Sequence, residues 1–216
     1  MRDVFLKTTI LTIAIFIAGF LFGIYVERMG LEDVKQRLTE IDNLWNDARL
    51  LQSNIQKFSK NITNYCDYLL DENLKIGDKI YEEGIKVERQ GESNRFVLSE
   101  FILEKRRYAL LDLQFWVNSI ELRELCNANY STVIFFYSHF DELAEQVFQG
   151  RVLWDLKQKC GPNIIYITFP MDLDISTLNV IKEIYNIQKI PAILINETVL
   201  LESPVSMTEL EKYLKC

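Results

Sequence analysis

Two unbroken apolar runs separated by a helical period dominate the last third of the chain. Thr132-Val-Ile-Phe-Phe-Tyr137 is β-branched and aromatic almost throughout, the composition of a strand covered on both faces and so central in its sheet. Ile164-Ile-Tyr-Ile-Thr-Phe169 has the same character. Between them, Asp141 to Lys159 sets apolar residues at helical spacing (Leu143, Val147, Trp154; Ala144, Phe148, Val152, Leu156) and stops at Gly161-Pro162. Strand, crossover helix and strand make a right-handed βαβ unit. A second helix is expected from about Ser176 to Asn186, with Leu178, Ile181, Ile184 and Tyr185 inward. Pro191 then opens a third strand, Ala192 to Asn196, where a missing N–H is tolerated. A turn at Asn196-Glu197 leads into Thr198 to Leu201, and Ser206-Met-Thr-Glu209 fits the capping box of a last helix. The order is β-α-β-α-β-β-α.

Upstream, the period is helical. Val4 to Val26 is apolar apart from Lys7 and a few threonines, long enough at about 1.5 Å per residue to cross a hydrocarbon core of about 30 Å. A cleaved signal peptide would instead carry an apolar region of about 7 to 15 residues before a small-x-small site. Gly19-Phe-Leu-Phe-Gly-Ile-Tyr25 offers no such site, so an uncleaved anchor is expected. Arg2 and Lys7 precede the span and Arg28, Lys35 and Arg37 follow it, so positive-inside counting barely decides its direction. A large folded region after an N-terminal anchor favours an extracytoplasmic C-terminal domain.

Leu31, Val34, Leu38, Ile41, Trp45 and Ala48 alternate in heptad fashion, then shift by one residue to Leu51, Ile55, Phe58 and Ile62. This coiled-coil-like helix pairs either within its own chain or with a second copy. Tyr65 to Leu74 continues as a short amphipathic helix, and Gly77, Gly84 and Gly91 punctuate a charged stretch expected to be loop-rich or frayed. Arg95 to Cys126 is a second long helix, with Phe101, Tyr108, Leu111, Phe115, Leu122 and Leu125 in one stripe. Leu110, Leu113, Trp116, Val117 and Ile120 widen that stripe, so the helix is expected to be buried on two sides. Three regions result: a transmembrane helix over 4–26, a helical hairpin over 27–128 and an α/β domain over 129–216.

The β-α-β-α-β-β-α order with Ile190-Pro191-Ala192 at the head of the third strand resembles the thioredoxin fold from about Asn129 to Cys216. The resemblance implies a cis proline bordering a groove for substrate peptides, which makes Ile190 and Pro191 candidate binding residues. It also places a Cys-x-x-Cys motif where the first strand turns into the first helix. Here that turn reads Tyr137-Ser-His-Phe-Asp-Glu-Leu-Ala144, without cysteine. Exchange needs a thiolate, favoured at a helix N-terminus, and Asp141 and Glu142 cannot supply one. They suit the positive end of the helix dipole instead. The architecture, Gln149-Gly150 and Asp172-Leu-Asp174 also resemble a group of archaeal single-pass proteins that place a helical segment before a thioredoxin-like domain.

The four cysteines suit an oxidising compartment, with free thiols in a cytosolic protein as the alternative. In the topology the resemblance implies, the first and last helices lie on one sheet face, placing Cys160 and Cys216 near the same edge. Cys66 and Cys126 both belong to the helical hairpin, so 66–126 and 160–216 are the preferred structural pairs. The only histidine, His139, lies in the turn without cysteine and is a solvated loop residue, a proton-transfer group or half of a weak metal site. Asn61-Ile-Thr, Asn129-Tyr-Ser and Asn196-Glu-Thr are glycosylation sequons that bear only slightly on location.

Hydrophobic residues at 49% and charged residues at 25% describe an ordered protein, and a net charge of -7 argues against a nucleic-acid surface. No phosphate loop, metal-spaced cluster or nucleophile constellation stands out, so neither a cofactor nor a catalytic residue is expected. The leading reading is a membrane-tethered, redox-inactive thioredoxin-like module that binds an unidentified protein or peptide client. The alternatives are a thiol-disulfide oxidoreductase using Cys160, Cys66 or a partner's thiol, and a structural spacer that oligomerises through Leu38 and Trp45. The implied partners are the bilayer, through 4–26, a protein client and a second copy of the chain.

Overall fold

The β-α-β-α-β-β-α order expected for the last third is the observed one. A computed structural model describes residues 2–58, 65–93, 98–141 and 143–216. Its elements are α1 (Arg2–Phe58), α2 (Tyr65–Ser93), α3 (Leu98–Cys126), β1 (Ser131–Tyr137), α4 (Ala144–Cys160), β2 (Ile164–Pro170), α5 (Ser176–Ile184), β3 (Ala192–Ile195), β4 (Val199–Leu201) and α6 (Met207–Leu210). The described residues form a mostly helical α/β protein with a four-stranded sheet. It divides into two units, Met1–Ile41 and Asp42–Cys216.

The first unit holds the apolar stretch Leu6–Val26, a helix long and apolar enough to cross a membrane, a test a signal sequence also passes. Its described side chains are almost all exposed, as a lipid-facing surface would be in water. The second unit does not break at residue 128, because α3 packs directly on β1 and β2.

The sheet order is β2-β1-β3-β4. β1 and β2 are parallel, as a crossover helix requires, while β3 runs antiparallel to β1 and β4 to β3. On one face Val133, Phe135, Ile193 and Ile195 pack with Leu153 and Leu156 of α4 and with Leu210 and Leu214 near the C-terminus. Toward α3, the Trp116 ring lies 5.9 Å from Phe169 and 6.2 Å from Tyr185. Ser206 caps α6 by accepting from the Glu209 N–H at 3.3 Å, as its capping box required.

Asn196 and Glu197 both have positive φ, 47° and 56°, in the three-residue turn 196–198 that joins β3 to β4 and is closed by Thr198 N donating to Ile195 O at 3.1 Å. Glutamate is an unusual occupant of that region, and this one is held in place. Its carboxylate accepts from Trp116 Nε1 at 2.7 Å and from the Thr132 hydroxyl at 2.6 Å, and pairs with Arg123. The turn thereby clasps α3 to the sheet. Asn196 accepts from Thr132 N at 3.1 Å and from Arg123 at 3.2 Å, so its sequon side chain is already engaged.

Several expectations need correction. The stretch after Leu74 is not loop-rich, because α2 runs unbroken through Gly77, Gly84 and Gly91. The glycines are where α3 comes close. A Cβ at Gly77 would stand 2.6 Å from Phe115 Cζ, and one at Gly84 would stand 2.5 Å from Tyr108 Cζ. Gly77 and Gly84 are two turns apart on one face, and so are Tyr108 and Phe115 on the antiparallel partner. α4 starts later than expected, at Ala144, so Glu145 is the acid of its first turn and Asp141 precedes the helix. Its buried face is Gln146, Gln149, Leu153, Leu156 and Cys160, not the row containing Val147 and Trp154. On α5, Ile184 is 68% exposed, and Ile187 beyond the helix fills the core instead. Trp45 is 5% exposed within its own chain, so it is not a surface for a second copy. Leu38, Ile62, Glu142 and the Asn61 sequon lie outside the residues whose side chains are described.

Candidate functional site

Strand register gathers three chain segments at one end of the sheet. Tyr137 pairs with Pro170, and Phe136 pairs with Ala192, so the next position along β3 faces Tyr137 with Pro191. The loop after β1, the segment after β2 and the entry to β3 therefore form a common tip. The Ile190–Pro191 bond is cis, as the resemblance implied. Pro191 is buried and Ile190 half-buried.

The loop where a Cys-x-x-Cys motif would lie is organised by Asp172, which sequence reasoning had not assigned to the site. Its carboxylate accepts from the Ser138 hydroxyl at 2.5 Å and from the backbone N–H groups of His139 and Phe140 at 2.8 and 2.9 Å. Burial alone would raise the Asp172 pKa, but the Phe140 N–H, the Ser138 hydroxyl and the His139 N–H outweigh it and hold the carboxyl below its usual range. Gln146 of α4 completes the clamp, its Oε1 accepting from Ser138 N at 3.1 Å and its Nε2 donating to Ser138 O at 2.9 Å. The weak signal for this arrangement was an aspartate two residues beyond β2, at the sheet end shared with the loop.

His139 is not a solvated loop residue. It is half-buried, with its ring 5.8 Å from Phe101 and 5.0 Å from Phe140 and its Nδ1 2.7 Å from Lys105 Nζ. Burial, then the Lys105 charge, lower its pKa below the usual value, so imidazole is the favoured form there. The ammonium then donates to Nδ1 and ties α3 to the tip. Among the described residues no group of three or more His, Cys, Asp or Glu side chains is placed to hold a metal ion.

Around this clamp the surface is apolar. Phe140 is 60% exposed, and Leu143, Val147 and Phe148 leave further apolar surface on the loop and the first turns of α4. The cysteines stand elsewhere. Cys66 and Cys126 are at disulfide distance with Cα atoms 5.5 Å apart, as are Cys160 and Cys216 at 4.6 Å, and these are the preferred pairs. Cys160 ends α4, about 24 Å along the helix from the tip at about 1.5 Å per residue, and Cys126 precedes the far end of β1. The four sulfurs and the tip thus occupy opposite ends of the sheet.

No protein-family model matches the chain, and no curated protein matches it. Solved structures with a weak and partial likeness include the following two. One, described as a malarial protein, is 18% identical, covers 40% of this chain and 100% of its own, and has a TM-score of 0.34. The other, a chloroplastic thioredoxin z, is 11% identical, covers 44% of this chain and 83% of its own, and has the same TM-score.

Proposed function

We propose that the protein is a membrane-tethered thioredoxin-like module that binds extended apolar protein segments at its tip without sulfur chemistry. The observation that carries this reading is the tip itself. Beside a cis proline it presents Ser138-His139-Phe140-Asp141, pinned by Asp172, in place of two cysteines. A loop whose backbone donors are already committed to a carboxylate suits a rigid platform, and exposed Phe140 and Leu143 suit an apolar occupant. The element order and the cis bond support the thioredoxin-like assignment. The span Leu6–Val26 supports tethering, and two cysteine pairs at disulfide distance support an oxidising, extracytoplasmic setting.

Binding of a fluorescent peptide library to the full chain in lipid nanodiscs tests the reading. Apolar extended peptides should bind, and Phe140→Asp should weaken them about tenfold or more, because it places a charge on the contact surface. Binding indifferent to Phe140→Asp and to Pro191→Thr would reject the tip as the site.

A further inference from the structure

Helices α2 and α3 leave space beside β2. A cavity of about 300 Å³ lies between them and the sheet, with Gly84 and Glu88 on one side, Lys105 and Asp112 on another, and Tyr137 and Tyr166 on the strands. That volume is at the lower end of small-molecule pockets. It sits on the helix-hairpin side of β2, and nothing in the tip reading requires it.

The walls have a consistent chemistry. Phe115, Tyr81 and Tyr108 give the lining aromatic faces. Lys105 is buried and spends two of its three N–H donors, on Glu88 at 2.8 Å and on His139 Nδ1 at 2.7 Å. Its Nζ is 5.9 Å from the Tyr137 ring centroid, so ammonium and phenol stand at the same end of the cavity. The Tyr137 hydroxyl has no hydrogen-bond partner among the described residues, and burial pushes its pKa up, which keeps it a neutral donor. Asp112 is buried and burial raises its carboxyl well above the usual range, leaving Glu88, half exposed, as the acid facing Lys105. The interior therefore offers donors and aromatic faces, with little fixed negative charge. A cation would find no ionised partner there except the one Lys105 already uses.

We propose that this cavity binds a small aromatic carboxylate, of benzoate to naphthoate size, with its ring among Phe115, Tyr108 and Tyr81 and its carboxylate on Lys105 Nζ and the Tyr137 hydroxyl. The carboxylate takes the free ammonium donor and competes with Glu88 for the charge, while the phenol supplies the second hydrogen bond. Entry is from the side of exposed Tyr81 and Glu88.

The test is isothermal titration of the full chain in nanodiscs with 2-naphthoate, using empty nanodiscs to subtract uptake by lipid. Saturable binding at one site per chain is expected. Lys105→Met should weaken it about tenfold or more and Tyr137→Phe several-fold, as loss of a charge-assisted and of a neutral hydrogen bond requires. Ala109→Leu, which fills the lining from a buried position, should abolish it, and 2-naphthalenemethanol, which lacks the charge, should bind at least about tenfold more weakly. Tyr137→Phe keeps the ring and guards against a folding defect in the other variants. No saturable binding, or binding unchanged by both Lys105→Met and Ala109→Leu, would leave the cavity as a water-filled gap and overturn the proposal.

Discussion

Replacing Gly77 by alanine isolates the contact on which the α2–α3 packing depends. In an exposed helix interior the change would stabilise by about 0.5 to 1 kcal/mol, since alanine loses less backbone entropy. Here the new methyl would stand 2.6 Å from Phe115 Cζ and 3.3 Å from Cε1 and Cε2, and the ring must retreat by about 1 Å to reach ordinary contact near 3.5 Å or more. Phe115 is buried, and overpacking of this kind costs about 1 to 3 kcal/mol. The ring also borders the cavity, which absorbs part of the displacement and places the cost in the middle of that range. The net expectation is destabilisation by about 1 kcal/mol, a fall of about 2 to 4 °C in Tm for a chain of this size. Thermal unfolding of the detergent-solubilised chain, followed by tryptophan fluorescence, measures it. In the Phe115→Leu background the ring is gone and the same Gly77→Ala change should become neutral or stabilising. A rise in Tm on Gly77→Ala in the wild-type background would refute the close approach of α3 to this glycine.

Other outcomes follow from the bridges and the tip. Replacing Cys66 and Cys126 by serine opens a loop of sequence separation 60 and should cost about 4 kcal/mol on the chain-entropy account, read as a lowered urea midpoint. Asp172 has a depressed folded pKa, so its contribution is present above the unfolded carboxylate value of about 3.9 and lost as pH falls through the lower folded value. Asp172→Asn should therefore flatten the acid limb of a stability–pH profile, and an unchanged limb would contradict the clamp. His139 also has a depressed pKa, but as a base. Its folded form binds fewer protons, so stability is full above the unfolded value of about 6.5 and declines as pH falls from there toward the folded value. His139→Gln should remove that mildly acidic decline in a pH series of melting curves.

The amino-acid pattern reveals those elements whose local and tertiary requirements agree. β1 and β2 are buried on both faces, so their composition alone identifies them, and the capping box at Ser206 encodes its own hydrogen bond. α4 misleads because two glutamines lie on its buried face. Gln146 bonds the Ser138 backbone and Gln149 accepts from Val205 N at 2.7 Å, so polar residues occupy core positions for reasons no period can express. The α2 glycines read as breakers because their partners, Tyr108 and Phe115, lie some twenty-four to thirty-eight residues away and become neighbours only when the hairpin closes. At the tip, the cis proline is what the resemblance of Ile190-Pro191-Ala192 implied, and the lack of cysteine in the 137–144 turn is read directly from the residues. The roles of Asp172 and Lys105 are not legible in that way, since each acts on a loop more than thirty residues distant.

The central claim is that this tip works without sulfur, and thiol-dependent insulin reduction by the full chain in nanodiscs tests it most directly. The account predicts no acceleration over dithiothreitol alone, with the Cys66–Cys126 and Cys160–Cys216 pairs intact before the reductant is added. Acceleration that disappears with Cys160→Ser would contradict it and place redox chemistry at the far end of α4.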